Sequence, residues 1–158
     1  MKEVKGDIFD IKDVDGKPVV GVCFTSNGCV RKDGNAVMGA GVAKVFKDNF
    51  PGIDGEYGKY LKLYKNNLTR DLGSWSYKGR SLRVFAFPTK NDWKHNSSLP
   101  LITLSAMGLK SIIEKNEKLQ KGIVLLPRPG CSNGGLNWSD VKKAIGPILP
   151  KNVVIVSL

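Results

Sequence analysis

The sequence has few of the residues that mark several protein classes. Its three cysteines, Cys23, Cys29 and Cys131, are odd in number and show no Cys-x-x-Cys or Cys/His ligand spacing. That argues against a disulfide framework and against a structural zinc site, so no metal is expected. Acidic residues are also scarce, 14 against 25 Lys and Arg. The resulting charge of +11 and a pI near 9.7 point to an anionic partner: nucleic acid, nucleotide or phosphorylated metabolite. Apolar runs are broken by charge before they reach bilayer length, so neither a transmembrane helix nor a membrane partner is expected. Met1–Asp7 lacks the apolar run of a signal peptide, which predicts a cytoplasmic protein. With 158 residues, 41% of them hydrophobic, the chain has the length of a single domain over 1–158, too apolar for a disordered tail.

Short β-rich runs alternate with helical patterns. Pro18–Phe24, Leu82–Phe87, Ile123–Leu126 and Val153–Val156 read as buried strands, with a further strand within Lys2–Asp7. Helical spacing predicts Gly41–Asn49, with Val42, Val45 and Phe46 on one side, and Glu56–Lys65, with Tyr57, Tyr60, Leu61 and Tyr64 in register. Ser97-Ser98 caps a third helix running to about Lys118, its apolar stripe made of Leu101, Leu104, Leu109, Ile112 and Ile113. Asn137 caps the last helix, whose Val141, Ala144, Ile145 and Ile148 face the core. Near-continuous apolar strands alternating with helices predict a three-layer α/β/α sandwich with a mixed central sheet. Ligands of such sheets bind at the carboxyl ends of the strands.

Two glycine-rich loops follow strands and lead into helices: Asn35–Ala43, containing Met38-Gly39-Ala40-Gly41-Val42, and Pro129–Leu136, containing Gly130-Cys131-Ser132-Asn133-Gly134-Gly135. Glycine lets backbone approach a ligand, and N–H groups near a helix start favour phosphate. Neither loop is a Walker A, because neither ends in Gly-Lys-Ser/Thr.

Four pieces in order resemble the macro domain, an ADP-ribose-binding module, over essentially the whole chain. They are Gly6-Asp7-Ile8; Thr25-Ser26-Asn27-Gly28 with Met38–Ala43; Phe87-Pro88-Thr89-Lys90 with Trp93 and Lys94; and Gly130–Trp138. The last two are similar to the branch holding the terminal ADP-ribose protein glycohydrolase and the antitoxin that removes ADP-ribose from DNA. The resemblance implies that Asp7 accepts from the adenine amino group while Ile8 N–H donates to the ring. Asn27 would meet the distal ribose and serve as a catalytic residue beside Lys90, and the backbones of Gly39–Val42 and Ser132–Gly135 would hold the diphosphate. Lys90, after Pro88-Thr89, would attack the anomeric carbon as the catalytic group, or else contact phosphate as one of many cations.

Departures from the branch are visible. The protein glycohydrolase has an acidic residue where this chain has Gly134, and the DNA-directed antitoxins share the Asn-Gly-Gly found here. An insertion, Val30–Asn35, leaves Asn35 as the alternative to Asn27; we prefer Asn27. His95 reads as incidental, and Cys131, without a base in sequence, reads as a small buried side chain. Trp93 either stacks on a ligand or covers the core edge. The expected activity is hydrolysis of ADP-ribosyl linkages on DNA or protein, with ADP-ribose 1″-phosphate phosphatase and a non-catalytic reader as alternatives. The expected partner is ADP-ribose or an ADP-ribosylated macromolecule, met by a monomer without a cofactor, with Lys32, Lys78, Arg80, Lys94 and Arg128 as candidate phosphate contacts. Stand-alone macro domains of this size resemble bacterial and phage proteins.

Overall fold

In the computed structural model, which describes residues 1–158, the strands are β1 (Glu3–Lys5), β2 (Asp13–Val14), β3 (Lys17–Ser26), β4 (Arg70–Tyr77), β5 (Arg80–Pro88), β6 (Ile123–Pro127) and β7 (Val153–Ser157). The helices are α1 (Gly41–Asn49), α2 (Ile53–Tyr64), α3 (Leu99–Glu114), α4 (Glu117–Gln120) and α5 (Trp138–Ile145). The sheet runs β1-β7-β6-β3-β5-β4, with β2 paired to β3 off that path. Neighbours from β1 to β5 are parallel and β4 is antiparallel to β5. This is the mixed sheet expected from the sequence.

Strand alternation sorts the core into two halves. Val22, Phe24, Val84, Ala86, Leu125, Val154 and Val156 join one buried cluster with Phe46, Phe50, Ile53, Tyr57 and Leu61 from α1, α2 and the turn between them. Cys23, Phe85, Phe87, Val124, Leu126, Val153 and Ile155 join the other with residues of α3, α4 and α5. Helices therefore cover both faces, and each large side chain buried this way contributes about 1.5–3 kcal/mol.

Several boundaries differ from the sequence reading. The expected helix to Lys118 breaks at Lys115: Asn116 Oδ1 accepts from Leu119 N–H to start α4, and Gln120 Nε2 donates to the carbonyls of Ile113 and Glu114, closing α3. Within that pair of expected caps, Ser98 alone does the work, accepting from Leu101 N–H, while Ser97 is buried. Leu104 and Val45, placed on core stripes by periodicity, are exposed, because each lies beyond the arc its helix turns inward. The helix expected from Glu56 begins at Ile53, which is fully buried. Strand β4 escaped the reading altogether. Among its residues Leu72 alone is buried, so an edge strand carrying Gly73, Ser74 and Ser76 reads as loop.

Candidate functional site

Parallel pairing fixes which loops are neighbours. Along one sheet edge lie the carboxyl ends of β1, β7, β6, β3 and β5, spanning about 19 Å at strand spacing. Asp7 and Ile8 follow β1, the second glycine loop follows β6, Asn27 follows β3, and Thr89-Lys90 follows β5. A cavity of about 590 Å³ opens at the opposite edge, lined by residues at strand starts such as Lys2, Lys17 and Ile123. None of the glycine-loop residues line it. Strand polarity selects the site.

At the β1 end, Asp7 Oδ1 accepts from Phe9 N–H at 2.9 Å and Asp7 O accepts from Asp10 N–H. Phe9 anchors this turn, its buried ring lying 5.0 Å from that of Phe46 and 4.9 Å from that of Tyr77. Ile8 N–H has no partner within the chain, so it remains a free donor beside the exposed Asp7.

In the middle, the first glycine loop reaches α1 through Met38, whose buried side chain leaves only its backbone for a ligand. Gly39 is open, with nothing near its Cα face. The α1 N-terminus has no side-chain cap and no acidic residue in its first turn, leaving N–H groups for an anion. The two loops meet here. A Cβ built on Gly41 would lie 3.2 Å from Asn133 Nδ2.

The second loop is fixed from below. Leu136 N–H donates to Gly130 O at 2.9 Å, and Ser97 N–H donates to Gly134 O at 2.9 Å. A Cβ on Gly134 would fall 2.1 Å from Ser97 Oγ and 2.6 Å from Gly130 O, so no side chain fits there, an acid included. Ser132 and Asn133 are exposed and Leu136 half-buried. The Cys131 thiol is half-buried, and burial raises its pKa, which disfavours the thiolate a nucleophile needs.

At the β5 end, Thr89 continues the ladder, its N–H donating to Ser26 O at 2.9 Å, and its carbonyl accepts from Ser98 N–H. Ser105 Oγ donates to Pro88 O at 2.6 Å. Lys90 thus leaves a segment bonded on both sides, two residues past Pro88, whose ladder partner Ser26 is followed directly by Asn27. Asn27 Oδ1 accepts from Cys29 N–H, which leaves its amide N–H₂ as the free part. Ser26, the residue before it, bonds Tyr57 Oη at 2.9 Å in the core, and burial pushes the Tyr57 phenol up to about 12 despite that bond. Asn35 lies elsewhere: its N–H donates to Asp33 Oδ1, and its side chain rests on α2 at Gly55. His95 and Trp93 are exposed, with Lys94 Nζ 5.6 Å from the Trp93 ring centre.

Two side chains that hold this site gave no warning in sequence. Asn67, between α2 and β4, donates from Nδ2 to Lys90 O at 2.9 Å and to Asn91 Oδ1 at 2.8 Å. Glu3 on β1 accepts from Lys142 Nζ at 2.6 Å, Trp138 Nε1 at 2.9 Å and Arg128 at 3.4 Å, clamping both ends of the second loop. The partners lie 23 and more than 120 residues away in sequence, and no local pattern announces either contact. No group of three or more His, Cys, Asp or Glu side chains could hold a metal ion.

The fold has close counterparts. The macrodomain of Mycobacterium tuberculosis DarG superposes with a TM-score of 0.74 at 25% identity, covering 99% of this chain and 97% of that one. The macrodomain of Thermus aquaticus DarG gives the same TM-score at 28% identity, over 98% and 95%. This chain is a macrodomain related to DarG. By sequence it is 34% identical over 113 residues to the DNA ADP-ribosyl glycohydrolase of Thermus aquaticus, which is 69% of this chain and 30% of that relative. A fusion of DNA ADP-ribosyl transferase and glycohydrolase from Thermosipho africanus is 32% identical over 129 residues. The chain thus spans about 30% of the length of the curated relatives it matches. A structure of Thermosipho africanus DarTG in complex with ADP-ribose shares the fold, with a TM-score of 0.71. No family model matches the sequence. No helix is long and apolar enough to cross a membrane.

Proposed function

We propose that this macrodomain binds ADP-ribose along the strand-end edge and hydrolyses ADP-ribosyl linkages on DNA through Lys90. One observation carries the reading: the linear order of the edge follows the linear order of the ligand. Asp7 and the free Ile8 N–H suit adenine at the β1 end. The two touching glycine loops and the α1 N-terminus suit the diphosphate in the middle. Asn27 and Lys90 suit the distal ribose at the β5 end, with Pro88 and Thr89 setting their height. DNA is favoured over protein because Gly134 has no room for the acid that the protein-directed branch uses, and because the named relatives act on DNA.

The reaction is a displacement at the anomeric carbon of the distal ribose. Lys90 Nζ forms the C–N bond while the bond to the modified base breaks. The electron pair leaves with the base, which takes up the proton that the nitrogen sheds. Water then adds at the same carbon, releasing ADP-ribose and restoring the lysine. Asn27 orients the ribose hydroxyls through its amide N–H₂.

The test joins calorimetry to turnover. Wild type should bind ADP-ribose one to one, with a Kd on the order of micromolar, about −8 kcal/mol. It should release ADP-ribose from modified DNA, and not from modified protein or from ADP-ribose 1″-phosphate. Lys90→Ala should keep the affinity within a few fold and lose turnover. Binding without turnover of any substrate would make the chain a reader, and release from the 1″-phosphate alone would make it a phosphatase. An absence of binding would sink the reading.

A further inference from the structure

We propose that Asn67 is the positioning residue for Lys90, an assignment that rests on the lysine-dependent hydrolysis proposed above. The Asn67 carboxamide sits at the junction of three segments. Its Nδ2 donates to Lys90 O and to Asn91 Oδ1, at 2.9 and 2.8 Å. Its other side covers Gly28, the residue after Asn27. A Cβ there would lie 2.5 Å from Asn67 Cγ, and Gly28 adopts φ +70°, so the backbone is shaped to let the carboxamide in. One side chain therefore sets the height of the lysine segment and of the asparagine segment against each other.

The mount is rigid. Two residues on, buried Thr69 donates from Oγ1 to Ser105 O at 2.8 Å, and Ser105 in turn donates to Pro88 O. The chain of contacts Asn67–Thr69–Ser105–Pro88 closes a ring around the end of β5. Two acceptors face Nδ2, so the amide orientation is set by the network. Asn67 Oδ1 is buried without a partner. The carboxamide is thus held by what it donates, and donation is the property to remove.

Asn67→Asp keeps the shape and turns the donor into an acceptor facing two acceptors. Asn67→Ala removes the side chain. Both are measured as full-length chains on ADP-ribosylated DNA, with thermal melting to confirm folding and Lys90→Ala as reference. The expected result is a fall in kcat on the order of 30- to 100-fold, the scale of a misplacement of about 1 Å, with KM and ADP-ribose Kd within about threefold of wild type. The ratio of Asn67→Asp to wild-type kcat should recover in part as pH falls through about 4, where a protonated carboxyl donates one bond again. Wild-type kcat in both variants, with Lys90→Ala inactive, would overturn the assignment. So would a parallel loss of Kd, KM and melting temperature, the mark of a merely structural contact. If Asn67→Ala fails to fold, the isosteric variant decides alone. Full turnover by Lys90→Ala would remove the lysine reading itself, and the positioning role with it.

Discussion

At the scale of single residues, the strongest constraint in the site is a missing side chain. Gly134 is buried under Ser97 and against its own loop carbonyl at Gly130, so any Cβ must displace backbone or a packed hydroxyl. Gly134→Ala should therefore destabilise the fold by about 1–3 kcal/mol through overpacking. It should also weaken ADP-ribose binding more than tenfold by shifting the Ser132–Gly135 backbone, with calorimetry and thermal melting as the measures. Unaltered affinity would mean that this loop does not hold the ligand. Gly134, Asn27 and Lys90 are each proposed from a short sequence motif that follows a strand. Asn67 sits in no such motif. Its role depends on a carboxamide reaching across the fold, and an asparagine in a loop has many local uses that look the same on paper. Arg80 erred the other way: its charge suggested a phosphate contact, yet its guanidinium donates to the carbonyls of Phe9 and Ile11, both at 3.3 Å.

At the scale of elements, strands with nearly continuous apolar runs were visible and the half-exposed one was not. Strands β3, β5, β6 and β7 announce themselves, whereas β4 pairs as the far edge and buries Leu72 alone. The joint between β1, α5 and the second loop also lies beyond pattern reading, and it carries a pH prediction. The hydrogen bond from Lys142 lowers the Glu3 pKa most, opposed by burial and assisted by the Trp138 N–H. A carboxylate lowered in the folded state stabilises it above the ordinary glutamate range, and that contribution is lost as pH falls through the lowered value. Glu3→Gln should thus melt below wild type at pH 7, and the gap should close in the acid range below about pH 4. A gap independent of pH would mean that packing, not charge, is what Glu3 supplies.

At the scale of the whole molecule, the charge of +11 was the first clue to an anionic partner, and the structure thins the list of cations available for it. Arg80 is bonded to backbone and Arg128 to Glu3, and Lys78 lies in the β4–β5 turn at the opposite sheet edge, while Lys32 and Lys94 are exposed. Two phosphate contacts on a single strand give a slope of about −1.4 in log affinity against log salt. Binding of an ADP-ribosylated oligonucleotide should show that slope, and double alanine substitution at Lys32 and Lys94 should flatten it while leaving free ADP-ribose binding intact. A flat salt response in the unaltered chain would remove the nucleic-acid surface.

The pairing of β1 with β7 has a further consequence, this time for the order of assembly. Strand β1 has three residues and no sheet partner except β7; Gly6 N–H donates to Ser157 O, and Ile155 N–H donates to Lys2 O. The segment carrying Asp7 is synthesised before the other strands of the sheet, yet its seat waits for residues 153–157, made some 150 positions later. On a ribosome adding about 5–20 residues per second, that wait lasts many seconds, and closing so long a loop comes late. Both glycine loops and the lysine segment would already be in the nascent chain while the Asp7 end of the edge still lacked a floor. On the proposed reading, the cleft is completed from the Lys90 end towards the Asp7 end, and a nascent chain short of β7 would carry the proposed nucleophile before it had a seat for adenine.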